Sequence, residues 1–184
     1  MTRFRSSSLA LVLVAVAQAH GAAQAATCTI PEPLPPGWQV GPPPASFEPP
    51  HRERGVRVPV GAGLPSDAQV KVFRTRPAAY RYGAGAVGKL ARLPAHDAPG
   101  LSAWAADDGQ IVLADGTPQN FRVVVTCVLV SSHSWGAPER CEAVSTRLPG
   151  VFVSVIYPSR RLKETMSLVA AAEGAARSGL AGCP

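Results

Sequence analysis

Two segments are apolar at nearly every position, and they constrain the fold more than any other feature of the chain. Residues 121–130 read FRVVVTCVLV and residues 151–157 read VFVSVIY. Both are rich in β-branched residues, which favour strands. Because successive side chains of a strand point to opposite faces, both faces of each strand are expected to be apolar. Such strands usually lie in the centre of a sheet that is covered on both sides.

Strict alternation assigns the side chains of the first segment to two faces. One face receives Phe121, Val123, Val125, Cys127 and Leu129, and the other receives Val124, Val128 and Val130. Further strands are predicted where apolar and polar residues alternate or form short apolar runs, at 56–60, 69–74, 110–114 and 142–147. The dipeptide Asp115-Gly116 suits a tight hairpin turn. The segment 78–104 receives no assignment and is one candidate to cover the second face of the sheet.

A cover for the first face is visible near the C-terminus. Residues 160–178 show helical periodicity, and Ser159 after Pro158 is the expected N-cap. The apolar stripe of this helix contains Leu162, Met166, Val169, Ala176 and Leu180. Glu173 falls within the stripe, where pairing with an arginine is expected and a binding site is the alternative. The predicted fold is therefore α+β, an antiparallel β-meander with one C-terminal helix packed on the sheet.

The first 25 residues have the organisation of a secretory signal peptide. Arg3 and Arg5 precede an apolar run at 9–17, which is too short to span a bilayer. Ala23-Gln24-Ala25 then supplies the small residues that signal peptidase requires. The predicted organisation is a signal peptide at 1–25, a proline-rich leader at 26–50 and a single α+β domain at 51–184. The processed protein is expected to be periplasmic or secreted, without a membrane span.

All four cysteines lie after the predicted cleavage site. An even number in an exported chain indicates disulfides, and four cysteines allow three pairings. The favoured pairs are Cys127–Cys141, which would join a hairpin, and Cys28–Cys183, which would join the two ends of the domain. A metal site formed by Cys127, His133 and Cys141 is the alternative, but the spacing matches no zinc pattern. No metal and no cofactor are therefore predicted.

The leader has little capacity to fold alone, because nine of the twenty residues at 31–50 are proline. Proline fixes φ and donates no backbone hydrogen bond, so the segment is expected to be extended. The favoured interpretation is a strap that lies over the domain, held by Cys28 and anchored by Trp38 and Phe47. A spacer, or a ligand for an aromatic-lined groove, is the alternative.

Charge and motifs exclude several functional classes. After signal removal, 16 Lys and Arg face 12 Asp and Glu, a net charge of +4 without a basic stripe, so nucleic-acid binding is not expected. Residues 83–89 (GAGAVGK) match a dinucleotide fingerprint and most of a P-loop. However, Leu90 stands where a P-loop needs Ser or Thr, and no buried strand precedes the first glycine. A surface loop is the better interpretation.

No hydrolase signature is present, and the chain is not expected to be an enzyme. The favoured hypothesis is a non-enzymatic binding module of the envelope: an inhibitor, an immunity-type protein or an accessory subunit. Its partner would be another envelope or secreted protein, with a second copy of the chain as an alternative. His133 and Trp135 are the candidate binding residues, because they share one loop and tryptophan is enriched at interface hot spots. The alternatives are a small hydrolase with a dispersed site that includes His133, and a structural envelope protein.

Overall fold

The computed structural model describes residues 26–41, 54–61, 63–77, 80, 91–92, 98–105, 111–117, 120–128 and 140–184. Within these ranges nine strands form one sheet in which all neighbouring strands are antiparallel. The strands are β1 (Gln39–Val40), β2 (Val56–Val58), β3 (Gln69–Phe73), β4 (Ala91–Arg92), β5 (Ser102–Ala105), β6 (Ile111–Thr117), β7 (Asn120–Val128), β8 (Arg140–Ser145) and β9 (Phe152–Pro158). A 3-10 helix (Ser159–Glu164) leads directly into helix α1 (Thr165–Arg177).

The strands follow the order β1-β2-β3-β9-β8-β7-β6-β5-β4 across the sheet. Two meanders, β1–β3 and β4–β9, therefore lie side by side and meet where β3 pairs with β9. Helix α1 packs against β8 and β9. The predicted fold, an antiparallel α+β sheet with one C-terminal helix packed on it, is confirmed. All six predicted strands are present, with shifted ends, whereas β1, β4 and β5 were not predicted.

The face of the sheet under α1 forms the larger core. Helix residues Leu168, Val169 and Ala172 are at most 2% exposed. They belong to one cluster with the inward side chains of the sheet, including Val70, Val123, Val125, Val153 and Val155. Full burial of one such side chain stabilises the fold by about 1.5–3 kcal/mol. This core accounts for the position of α1 over the centre of the sheet.

The opposite face carries a second, smaller core around Tyr80. Its buried members are Tyr80, Val112, Ala114, Phe121, Val124 and Val144. The hydroxyl of Tyr80 donates to the carbonyl oxygen of Phe121 at 3.1 Å, and its ring meets Phe152 edge-on with centroids 5.7 Å apart. Tyr80 belongs to the segment 78–104, so that segment supplies at least one side chain that covers the second face.

The face predicted for Phe121 was wrong. Asp115 pairs with Val123 and Gly116 with Phe121, so Arg122 of β7 has no counterpart on β6. The extra residue is a β-bulge that moves Phe121 to the face of Val124. Asp115-Gly116 forms this bulge and is not the hairpin turn. Gly116 has φ 112° there, and a Cβ would lie 2.4 Å from the carbonyl oxygen of Asn120.

The predicted start of the helix was also wrong. Pro158 occupies the N-cap position of the 3-10 helix, without a side-chain cap, and Arg161 departs from helical φ and ψ. The α-helix begins only at Thr165. Of the predicted stripe, Val169 and Ala176 are buried, together with Leu168 and Ala172, whereas Leu162, Met166 and Leu180 are half-buried. Local capping by Ser159 is thus replaced by a tertiary anchor at Thr165.

That anchor is a buried hydrogen-bond chain. The Thr165 hydroxyl donates to the carbonyl oxygen of Leu162 at 2.6 Å, so its oxygen accepts the hydroxyl proton of Tyr157, also at 2.6 Å. Both side chains are at most 1% exposed. Burial raises the pKa of Tyr157 to about 12. The pair fixes the start of α1 to the end of β9.

Two disulfides join the four cysteines, in the two pairings that the sequence favoured. Cys127 and Cys141 face each other on β7 and β8, with Cα atoms 4.1 Å apart. Cys28 is bonded to Cys183, with Cα atoms 4.5 Å apart. Disulfides of this kind are typical of proteins in an oxidising, extracytoplasmic compartment.

The described part of the leader, residues 26–41, packs on the body of the protein. Thr29 and Ala181 exchange two backbone hydrogen bonds at 2.9 and 3.0 Å, beside the Cys28–Cys183 bond. Trp38 is 8% exposed, as expected for an anchor. Phe47 lies outside the described residues. Beyond Trp38 the chain forms β1, so the leader contributes a strand to the sheet.

No helix among the described residues is long and apolar enough to cross a bilayer.

Candidate binding surface

The sequence placed the candidate binding residues His133 and Trp135 in one loop, and both lie outside the described residues. The glycine-rich motif at 83–89 lies outside them as well. His51, His96 and His133 all lie outside the described residues, so the alternative of a small hydrolase whose site includes His133 stays untested. A candidate site must therefore be built from the described part of the chain.

Exposed apolar side chains in that part of the chain are concentrated at the β1 edge of the sheet. Val40 is 59% exposed and Val60 is 42% exposed, and these are the two large apolar residues that the described surface leaves open. Val40 pairs with Val56, which is buried under α1, so Val40 lies on the helix side of the sheet. Val60 follows β2, the neighbouring strand, so both exposed side chains belong to the β1–β2 side of the sheet, and exposed apolar surface is a feature of many interaction sites.

A groove lies beside Val60 on the same side of the sheet. It has a volume of about 370 Å³ and runs between the leader, the end of β2 and the C-terminal end of α1. Its lining includes Pro35, Pro36, Trp38, Pro59, Val60 and Gly179. Most of these groups are apolar, and none is charged. We call this groove, together with Val40 and Val60, the edge groove.

Tight packing of the leader forms the groove. The backbone N–H of Trp38 donates to the carbonyl oxygen of Pro35 at 3.0 Å, which closes a turn through Gly37 at φ 81°. The indole of Trp38 then packs directly on Gly179. A Cβ at Gly179 would lie 2.5 Å from the indole, so a larger residue there would displace the tryptophan. The groove thus depends on a glycine that follows α1 and a tryptophan about 140 residues earlier.

On the face of the sheet opposite the helix, two cations of β2 and β3 have no carboxylate partner among the described residues. Arg57 of β2 and Lys71 of β3 are direct cross-strand partners, and Gln39 of β1 lies opposite Arg57. Each of the six described carboxylates is already paired with an arginine or a serine. Neither Arg57 nor Lys71 is among these partners. Like charges directly opposite each other destabilise a sheet, so the pairing of Arg57 with Lys71 has an energetic cost.

A second cluster of charges, at the bulge, combines one carboxylate with two arginines. Asp115 accepts hydrogen bonds from Arg147 at 2.7 Å and from Arg122 at 3.1 Å. Burial alone would raise the pKa of Asp115, but the two arginines outweigh it and lower that pKa below its usual value. The carboxylate is therefore committed to joining β6, β7 and β8. This cluster stabilises the bulge and offers no free acid or base.

Two serine–carboxylate pairs also occur, and in each the serine is buried and the glutamate is half-buried. Ser145 donates to Glu173 at 2.5 Å and accepts the backbone N–H of Arg147 at 3.2 Å. Ser154 donates to Glu142 at 2.6 Å. Ser145 is 1% exposed and Ser154 is 0% exposed, so a substrate cannot reach either oxygen. The expected arginine partner of Glu173 was wrong, because the carboxylate faces Ser145 between α1 and β8.

The described residues contain no group of three or more potential metal ligands. Cys127 and Cys141, two members of the alternative metal site, are bonded to each other.

Comparisons with known proteins add little to this surface. No protein-family model matches the chain, and no curated protein matches its sequence. A solved structure with a related shape is that of Smlt3025, an immunity protein of the Stenotrophomonas maltophilia type IV secretion system. The two chains share 9% identity with a TM-score of 0.45, over 62% of this chain and 70% of the other. A likeness this low supports no conclusion about function.

Proposed function

We propose that the processed protein is a non-enzymatic binding module, periplasmic or secreted, that docks on another protein through the edge groove. The observation that supports this proposal is the position of Val40 and Val60. They are the exposed large apolar side chains of the described surface; Val60 lines the apolar groove, and Val40 lies two residues after Trp38, which also lines it. Contact with a partner would remove this area from water, which contributes about 25 cal/mol per Å² before the costs of association.

The rest of the described chain agrees with a binding role outside the cytoplasm. Two disulfides join its four cysteines, and the leader that forms the groove is tied to the C-terminal segment by one of them. A signal peptide at 1–25 and a domain at 51–184 complete the proposed organisation. Within this class of function the protein is an inhibitor, an immunity-type protein or an accessory subunit. His133 and Trp135 are proposed as additional contacts.

The test is affinity capture from an envelope extract with three baits, each processed and with both disulfides formed. The first is the wild type, and the second is Val40→Asp/Val60→Asp. The third, Ser66→Asp/Ala170→Asp, adds the same two charges at exposed positions outside the groove. We expect one stoichiometric protein on the first and third baits, and at least tenfold less of it on the second, by quantitative mass spectrometry.

Equal recovery of that protein on all three baits would contradict docking at the edge groove. A folded, correctly bridged wild type that captures no protein would contradict the binding module itself. Trp135→Ala in the same experiment tests the additional contact, with partial loss as the expected result.

A further inference from the structure

At the β1 edge the two faces of the sheet carry different side chains: apolar groups on the helix side and cations on the other side. This difference indicates which partner segment can bind at the edge. We infer that the partner segment is an extended strand that pairs with β1 and alternates apolar with acidic side chains. This inference rests on the proposed function, since it names the chemistry of the partner at the same surface.

The backbone of β1 presents a place for such a strand. Among the described residues β1 is the outermost strand on its side of the sheet. The N–H of Gly41 donates to the carbonyl oxygen of Gly55 at 2.9 Å, so Gly41 points towards β2. In an antiparallel pair this direction alternates along the strand, and the N–H and C=O of Val40 therefore point away from β2. An added strand can exchange one pair of hydrogen bonds with Val40, as in a short β-augmentation, since the N–H of Trp38, the preceding residue on that side, already donates to Pro35.

The side chains on the two faces then determine the sequence of the added strand. Its residues alternate between the faces, as in any strand. Those on the helix side meet Val40 and the edge groove, which favours apolar residues. Those on the other side lie beside Gln39, two strand spacings or about 10 Å from the Cα of Arg57. Extended arginine and glutamate side chains together span that distance, and Lys71 adds to the positive field.

A lipid surface fits these observations less well than an acidic strand does. A flat bilayer contacts one face at a time, whereas the apolar groups and the cations lie on opposite faces of β1. Each basic residue near an anionic membrane contributes about 1 kcal/mol, so Arg57 and Lys71 alone would give weak adsorption.

A second copy of the chain is also disfavoured at this edge. If two β1 strands paired about a twofold axis perpendicular to the sheet, both Arg57 side chains would lie on the same side. The Cα atoms of the two Arg57 residues would lie three strand spacings, about 14 Å, apart, so a second copy brings a cation towards Arg57 where an acidic strand brings a carboxylate.

The experiment measures binding of three fluorescein-labelled eight-residue peptides to the processed, disulfide-bonded protein by fluorescence anisotropy. The first alternates Val with Glu, the second alternates Val with Lys, and the third contains four Val followed by four Glu. We expect the first to bind at least tenfold more tightly than the other two, and its affinity to fall as salt is raised.

Charge reversal at β2 tests the role of the cation. Arg57→Glu is expected to abolish the preference for the Val/Glu peptide over the Val/Lys peptide. The variant should fold, because the new carboxylate lies opposite Lys71 and converts a repulsive pair into an attractive one. The matched control is Arg140→Glu on β8, three strands from β2, which should keep the wild-type preference.

Several results would overturn the inference. Equal affinity for the alternating and block Val/Glu peptides would exclude binding as an extended strand. An unchanged peptide preference in Arg57→Glu would exclude Arg57 as the group that selects acidic side chains. Adsorption to vesicles of 30% phosphatidylglycerol that is lost in Arg57→Glu, without discrimination among peptides, would identify a lipid surface instead.

The capture experiment separates failure of this inference from failure of the proposed function. If the natural partner is lost with Val40→Asp/Val60→Asp but retained with Arg57→Glu, docking at the edge groove stands and the acidic strand is wrong. If both variants retain the partner, both proposals are wrong.

Discussion

The centre of the sheet and its β1 edge belong to one hydrogen-bonded structure but differ in how their valines are used. In β7 and β9, Val123, Val125 and Val155 are at most 1% exposed. At the edge, Val40 and Val60 are 59% and 42% exposed. The same residue type therefore fills a core in one region and faces solvent in the other.

The difference shows two means of holding a strand in place. The central strands are stabilised by burial on both faces, under α1 and around Tyr80. The edge region has a two-residue strand, and its leader is held by the Cys28–Cys183 bond and the Thr29–Ala181 bridge. A region that is held covalently can keep apolar groups exposed for a partner without losing its position.

Among the changes that compare the edge region with the centre of the sheet, removal of the Cys28–Cys183 bond should lower the free energy of unfolding most. The cysteines are 155 residues apart, against 14 for Cys127 and Cys141. On the chain-entropy model the long loop contributes about 5 kcal/mol and the short one about 3 kcal/mol. We expect Cys28→Ala/Cys183→Ala to lower the free energy of unfolding more than Cys127→Ala/Cys141→Ala in urea titrations. The reverse order would show that the edge region is held by packing.

Side-chain truncation should have the next largest effect, and its cost in stability should differ between the core and the β1 edge. Leu168→Ala in α1 removes a side chain that is 1% exposed, and it is expected to cost about 3 kcal/mol through lost burial and a cavity. Val40→Ala removes one that is largely exposed and should change stability by about 0.5 kcal/mol or less. Urea unfolding of both variants measures the difference. Similar losses would mean that Val40 is part of the core.

The alkaline stability of the central region provides the smallest expected effect. Tyr157 ionises near pH 10 in the unfolded chain but near pH 12 when folded. Its contribution is therefore complete below pH 10 and is lost as the pH rises through 12. Tyr157→Phe should cost about 1 kcal/mol at pH 7, because the hydrogen bond to Thr165 is lost. It should also flatten the decrease in stability between pH 10 and 12.

Unfolding in urea across this pH range tests the tyrosine. Thr165→Ser keeps the acceptor oxygen and should keep the alkaline profile of the wild type. A Tyr157→Phe profile as steep as the wild-type profile would assign the alkaline loss to other groups.

The strands could be predicted because their signal is local. The β-branched runs of β7 and β9 predict strands strongly, and the short alternating segments of β2 and β3 predict them less strongly. The face of Phe121 could not be predicted, because it depends on how β6 pairs with β7 around Arg122. The start of α1 at Thr165 depends in the same way on a contact with Tyr157.

The candidate site was harder to predict because no single stretch of sequence contains it. The edge groove combines residues near 35–38, 58–61 and 175–179, and these meet only after the leader has packed on the end of α1. The sequence did indicate Trp38 as an anchor of the leader, which is the one local signal of the groove. His133 and Trp135 stay predictions, since they lie outside the described residues.

The bond between Cys28 and Cys183 also determines how the protein responds to mechanical load. A pulling force applied to the chain before Cys28 and after Cys183 passes through one covalent link and does not reach the sheet. The nine described strands and α1 therefore carry none of that tension while the bond is intact. Reduction would transfer the load to the sheet at once, so this protein is mechanically protected only where its disulfide is stable.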